Sequence, residues 1–309
     1  MFFNRRFAAK FHEGKIIMNR ISIMVFPALT KDLYAFGKDR DLEKLKRTYD
    51  GLLSDVKAAG YVGTDMFAYE TMIFGEDFVK EKLAANELVA ASYIYFDKFA
   101  TSHDNFEKEC LQNAKRAAET AKKLGAKVLM LVPSAHEGIE EFAPSEIRKN
   151  LIANFTPVTA YAKTLVEHVV VEDTPDLRLC FCKAREVEEV LDSVPGLELV
   201  YDSGNMILDG EDPIEYIDSF IGKIGHVHIK DMEKDEDRPR NMGECMRDGT
   251  PMKAAPTGTG VIGIDKVITK LKDIGYGGGL CVEFANHKDA DRLESFKKSI
   301  EYVQEYLQK

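Results

Sequence analysis

HVVVEDTPDLRLCFCKAREVEEVLDSVPGLELVYDSGN, residues 168–205, is the stretch that decides the fold. Two apolar runs of strand length, HVVVED (168–173) and LELVYD (197–202), each end on acidic side chains, with a helix-length segment between them. Runs apolar on nearly every residue are strands buried on both faces, as in a parallel sheet covered by helices. The same kind of run recurs in both directions: ISIMVFPA (21–28), YVGTDMFAY (61–69), LVAASYIYF (88–96), AKVLMLVP (126–133), GHVHIKD (225–231) and LCVEFA (280–285). With the first two, that makes eight strands.

Helical stripes lie between them. Leu42, Leu45, Tyr49, Leu52 and Val56 share one face, ended by Gly60; Ile264, Val267, Ile268, Leu271 and Ile274 share another, ended by Gly275. Leu293, Phe296, Ile300, Val303 and Leu307 close the chain. Each stripe buries one helix face against a flatter surface, and glycine supplies the left-handed turn into the next strand. Pro157 predicts a kink or break in the helix that starts near Ser145. Eight β-then-α units with no linker between them predict an α/β fold of one domain, a closed (β/α)₈ barrel spanning 18–309. The rival, a doubly wound open sheet, normally has fewer strands, and no GxGxxG follows the first one. Met232–Gly260 is long and irregular, which predicts a functional lid or a disordered loop.

Of the 309 residues, 45% are apolar and 30% charged, the balance of a globular protein with a sizeable core. Lys and Arg number 42 against 52 Asp and Glu, a net charge of −10, which disfavours nucleic-acid and anionic-membrane partners. No apolar run approaches the roughly 18 residues that span a bilayer. Five scattered cysteines, Cys110, Cys180, Cys182, Cys245 and Cys281, read as reduced thiols, and hence as a cytoplasmic protein. Residues 1–17 lack the apolar core of a secretory signal and read as a non-native extension. A purine-rich coding stretch over His12–Lys15 would place the true start at Met18.

In such barrels the chemistry sits where strands end. The fifth strand ends in Glu172, the sixth in Asp202, the seventh carries His228 and the eighth ends in Glu283. Each alone has an ordinary explanation: Asp202-Ser203-Gly204-Asn205 is a good turn, and His226 or His228 could be a satisfied core histidine. Four ligand-type side chains on four consecutive strands form a pattern that points to one divalent cation. Three carboxylates and an imidazole suit Mn²⁺, Co²⁺ or Mg²⁺ better than a closed structural Zn²⁺ site. Lys230 shares the parity of His228 and is a candidate substrate contact. So are His136 after the fourth strand and Glu70 after the second. Arg238 and Arg240 in the lid are candidate phosphate clamps, whereas Gly258-Thr259-Gly260 is too short for a phosphate loop.

VVVEDTP, LVYDSGN, HVHIKD and PTGTGVIGIDKVITKLKDIGYGGGLCVEF resemble the xylose isomerase-like TIM barrels, the sugar phosphate isomerase/epimerase group, over essentially the whole chain from Met18. That resemblance implies one divalent cation, usually Mn²⁺, held by Glu172, Asp202, His228 and Glu283. It also implies that Glu172 and Glu283 act as acid and base on opposite faces of a small carbohydrate, through an enediolate. Asn205 stands where the group often carries a substrate-touching histidine, which makes Asn205 a further substrate candidate. Arg178 stands where its ketose epimerases have a glutamate, and Asp-Thr-Pro follows Glu172 where classical xylose isomerases have x-Lys-Pro.

The expected function is therefore a metal-dependent isomerase or epimerase of a sugar, sugar phosphate or polyol ketone, working alone or as a homo-oligomer. A lyase on the same scaffold, dehydrating an inosose or cleaving a C-glycoside, is the alternative. An apurinic endonuclease would use about three metals and several more histidines, whereas only seven are present and few sit at strand ends. A non-catalytic sugar-binding barrel is the remaining alternative.

Overall fold

The structure is a computed structural model that describes residues 20–287 and 290–309; the question of a start at Met18 lies outside them. Its strands are β1 (Ile21–Met24), β2 (Gly63–Phe67), β3 (Val89–Asp97), β4 (Val128–Pro133), β5 (His168–Glu172), β6 (Leu197–Asp202), β7 (Ile224–Ile229), β8 (Asp231–Lys234), β9 (Met252–Ala255) and β10 (Leu280–Glu283). Eight of them close a ring in the order β1-β10-β7-β6-β5-β4-β3-β2, every neighbour parallel. The chain is thus a single-domain (β/α)₈ barrel.

Alternation along each strand sorts side chains between two cores. Val169, Val171, Leu199, Tyr201, Val227, Ile229 and Val282 point outward, into the layer shared with the helices. Met24, Ile94, Met130, Val170, Val200 and Cys281 fill the barrel interior. The outer layer includes Leu45, Tyr49, Leu52 and Val56 of helix Leu42–Ala59, which Gly60 ends at φ 100°. It also takes Ile264, Val267, Ile268 and Leu271 of helix Ile264–Asp273.

Three expectations are corrected. Of the kink or break expected at Pro157, the break does not occur: helix Pro144–Ala162 runs through it. Its buried face, with Leu151, Phe155, Val158 and Ala162, offsets a proline cost of about 3 kcal/mol. The second strand stops at Phe67, and helix Ala68–Phe74 follows at once. The lid is neither disordered nor irregular at its base: β8 and β9 pair antiparallel, from Asp231 opposite Ala255 to Lys234 opposite Met252. Farther out, Arg247 forms a double ion-paired hydrogen bond with Asp209 and donates its N–H to Leu208 O, tying the lid to the turn after β6.

Asp231 accounts for the glycine motif. Its Oδ2 accepts from the N–H groups of Gly258 (3.0 Å) and Gly260 (2.8 Å), and a Cβ at Gly260 would collide with Oδ1. The small anion nest of these amides is filled by the chain's own carboxylate.

Candidate metal centre

Glu172, Asp202, His228 and Glu283 each lie two residues beyond an inward-facing side chain of the same strand, namely Val170, Val200, His226 and Cys281. Period two therefore turns all four inward at the C-terminal rim. Asp202 lies opposite His228, whereas Glu172 lies opposite Val200, two residues before Asp202, the stagger of a closed barrel. One ligand atom from each of the four falls within 4.8 Å of the others. A six-coordinate cation with bonds of about 2.1 Å holds its ligand atoms roughly 3–4 Å apart, so the cluster is of the right size.

The imidazole is the pivot. His228 Nδ1 lies 2.7 Å from Glu172 Oε1 and 3.5 Å from Glu283 Oε1. Its other nitrogen, Nε2, lies 3.4 Å from Asp65 Oδ2. Burial works against charge on His228, but Glu172, Asp65 and Glu283 outweigh it and hold its affinity for a proton well above the ordinary histidine range. Burial likewise opposes the charge of Glu283, yet Lys230 and His228 hold that carboxyl down at about 2.

Asp202 behaves differently. Its Oδ1 accepts from the N–H groups of Gly204 (2.8 Å) and Asn205 (2.7 Å), the turn legible in Asp-Ser-Gly-Asn. Its Oδ2 is buried and has no hydrogen-bond partner among the described residues. Burial drives its carboxyl well above the usual range; Glu283 and Glu172 add to this and Lys230 opposes it. An oriented, buried oxygen without a donor, facing two more carboxylates, is a lone pair prepared for a cation. By this test, the residues fit a divalent ion.

Lys230 and Asn205 join the same rim. The Lys230 ammonium donates to Asn205 Oδ1 (2.9 Å) and lies 3.6 Å from Glu283 Oε2. From above, the lid brings Glu244 Oε1 to 3.7 Å from it. Glu244 also stands on the wall of a cavity of about 570 Å³ between the lid and the loop after β5, with Leu177, Arg178 and Met246.

Other candidates are placed elsewhere. Glu70 is fully buried, its Oε2 accepting from Tyr49 Oη–H (2.7 Å) and its Oε1 from Phe67 N–H (3.0 Å). Both oxygens are thus taken by protein donors, Oε1 capping the short helix Ala68–Phe74 and Oε2 bonding helix Leu42–Ala59. Burial raises the Glu70 carboxyl to about 7. Arg238 pairs with Asp235 within the lid (3.0 Å), and Arg240 donates to Asp248 O. His136 Nδ1 lies 2.8 Å from Glu137 O, and the ring shares no hydrogen bond or ion pair with the rim among the described residues.

Sequence reading missed Asp65, Asp173 and Glu244. Asp65 and Asp173 are both fully buried. Asp173 Oδ1 has no partner among the described residues, and burial, with Asp202 and Glu172 nearby, pushes its carboxyl well up. An acid inside the otherwise apolar YVGTDMFAY was the available signal for Asp65.

Comparison with known proteins agrees with this architecture. Residues 53–306 match the family described as xylose isomerase-like TIM barrel. Inosose dehydratase 1 of Bacillus cereus (strain ZK / E33L) is 23% identical over 280 residues, covering 84% of this chain and 89% of that protein. The inosose dehydratase of Bacillus cereus (strain AH820) is 29% identical over 128 residues, so the chain spans only 42% of that relative's length. Among solved structures, a Mycobacterium smegmatis xylose isomerase-like TIM barrel protein in complex with magnesium superposes with a TM-score of 0.61 at 18% identity, covering 85% of this chain and 89% of that one. The D-allulose 3-epimerase of Methylomonas sp. gives 0.66 at 16% identity, covering 84% and 92%. The closed ring of eight strands, the inward rim of ligand-type residues and the matched span agree: this chain belongs to the xylose isomerase-like TIM barrel family.

Proposed function

We propose that the chain is a divalent-metal-dependent enzyme that removes and returns a proton beside the carbonyl of a polyhydroxy ketone, and hence a sugar isomerase or epimerase. The observation that carries this is the meeting of two glutamates from non-adjacent strands, β5 and β10, at one imidazole nitrogen, 2.7 and 3.5 Å away. A cation held by Glu172, Asp202, His228 and Glu283 would polarise the substrate carbonyl as a Lewis acid. Mn²⁺ is the ion proposed, with Mg²⁺, Co²⁺ and Zn²⁺ as the alternatives to test.

Glu283, held ionised, takes the carbon-bound proton. Glu172, reaching the rim from the other side, returns one to the opposite face and inverts the carbon. Return to the neighbouring carbon isomerises instead. Lys230 and Asn205 orient hydroxyl groups, and Glu244 closes the mouth above them. The D-allulose 3-epimerase likeness supports this reading.

Dehydration is the second reading, favoured by the buried Lys230 ammonium 3.6 Å from Glu283. There Glu283 takes the proton, and a hydroxyl at the next carbon leaves as water with a proton from Lys230. The inosose dehydratase relatives support it. The test is incubation in D₂O with Mn²⁺ across a panel of ketoses and inososes. Deuterium gained without change of composition supports the isomerase or epimerase, and loss of one water supports the dehydratase. Metal-loaded protein that does neither on any member would overturn both.

A further inference from the structure

Below the rim lies a second polar layer that the proposed chemistry does not use. Asp65 is fully buried in the barrel interior, where four groups converge on its carboxylate. Ser22 Oγ–H donates to Oδ1 (2.5 Å), and Ser92 Oγ–H donates to Oδ2 (2.6 Å). His226 Nε2 lies 2.6 Å from Oδ2, and His228 Nε2 lies 3.4 Å from the same oxygen. These partners come from β1, β3 and β7, so the carboxylate cross-links four strands, counting its own. The register between β2 and β3 shifts between Thr64 and Asp65, the kind of irregularity that re-aims one side chain in an otherwise regular sheet.

We propose that Asp65 is the positioning residue of the metal centre, fixing the ring plane and tautomer of His228 so that Nδ1 presents its lone pair to the cation. This rests on the metal reading above. An imidazole has one proton to place when neutral, and a carboxylate at Nε2 puts it there. Binding of the cation displaces the proton that Nδ1 shares with Glu172 at 2.7 Å and leaves the Nδ1 lone pair facing the ion between Glu172 and Glu283. The two serines and His226 hold the carboxylate in turn, so Asp65 cannot swing away from the ring it orients. A second cation at Asp65, His228 and Cys281, which lie within 4.8 Å of one another, is disfavoured because the oxygens of Asp65 are already taken by Ser22, Ser92 and His226.

The experiment is titration of the metal-free, full-length protein with Mn²⁺ and Co²⁺ by calorimetry, comparing wild type with Asp65→Asn. The amide keeps the shape but sets an NH₂ group against hydrogen-bond donors. Metal binding should weaken about 10- to 100-fold, with a changed visible spectrum of bound Co²⁺. A folded Asp65→Asn that binds Co²⁺ within about twofold of wild type, with the same spectrum, would overturn the proposal. A measurement on wild type guards against a variant that fails to fold. In ¹⁵N-histidine-labelled, Zn²⁺-loaded protein, His228 should carry its proton on Nε2 and show the coordination shift at Nδ1; the reverse assignment sinks the idea. If wild type binds none of these ions, the metal reading itself fails; if wild type binds and Asp65→Asn binds equally, only the role of Asp65 does.

Discussion

Two buried acidic clusters sit one above the other in this barrel and share His228, yet they are finished to different degrees. In the lower one, Asp65 receives two hydroxyls and two imidazoles. Burial opposes its charge, but His226 and His228 hold its carboxyl well below the usual range. In the upper one, Asp202 Oδ2 and Asp173 Oδ1 have no partner among the described residues, and burial pushes both carboxyls up. A satisfied buried carboxylate holds a fold together, whereas an unsatisfied one costs stability that only a ligand can return. The contrast separates a cluster that supports the site from one that is left open for a ligand.

The sharpest way to break it is Glu283→Gln. Solvent-deuterium exchange into substrate should fall by about 10²- to 10⁴-fold, the usual share of an acid–base group. Asp65→Ala should lose less exchange, about 10- to 100-fold through weaker metal binding, and cost about 3–5 kcal/mol in urea unfolding because imidazoles and serines lose their acceptor. Equal losses from both variants would erase the distinction. Adding Mn²⁺ at about 100 times its dissociation constant should stabilise wild type by roughly 2.7 kcal/mol, seen as a higher melting temperature, and Asp202→Asn should blunt the rise.

Glu70, a buried acid of neither cluster, sharpens the comparison through pH. Its carboxyl stands at about 7 when folded, against 4.5 for an unperturbed glutamic acid side chain. Below 4.5 both states hold the proton; between 4.5 and about 7 only the folded state does, so stability falls as pH rises and is flat above. The slope contributed is at most about 1.4 kcal/mol per pH unit. Unfolding measured across that window should lose this component in Glu70→Gln. The smallest effect belongs to Glu244→Gln at the lid: KM should change several-fold with kcat nearly constant, and stability should stay within about 0.5 kcal/mol.

Much of this was legible in the chain. Strands buried on both faces announce themselves as continuous apolar runs, and an acid or histidine at the end of four such runs marks a rim. Asp65 escaped notice because a single acid within an apolar run does not reveal which strands will supply its donors; its partners are 43, 27 and 161 residues away. The capping role of Glu70 was hidden for a local reason. Glu70 occupies the third position of a helix whose cap residue is Phe67, and phenylalanine carries none of the side-chain oxygen that usually signals a capping box. Glu244 depended on the fold of the lid, where β8 and β9 are each four residues long and too short to read.

The carboxylate of Asp231 in its glycine nest has one more consequence. The loops after the seventh strand are where barrels of this architecture frequently seat a substrate's phosphate. Here two of the amides that would greet that dianion already bond a tethered acid, and tethering gives it an effective concentration that free anions in solution rarely match. A phosphate would have to evict a covalently attached competitor and then face its charge. That competition keeps these two amides closed to a free anion.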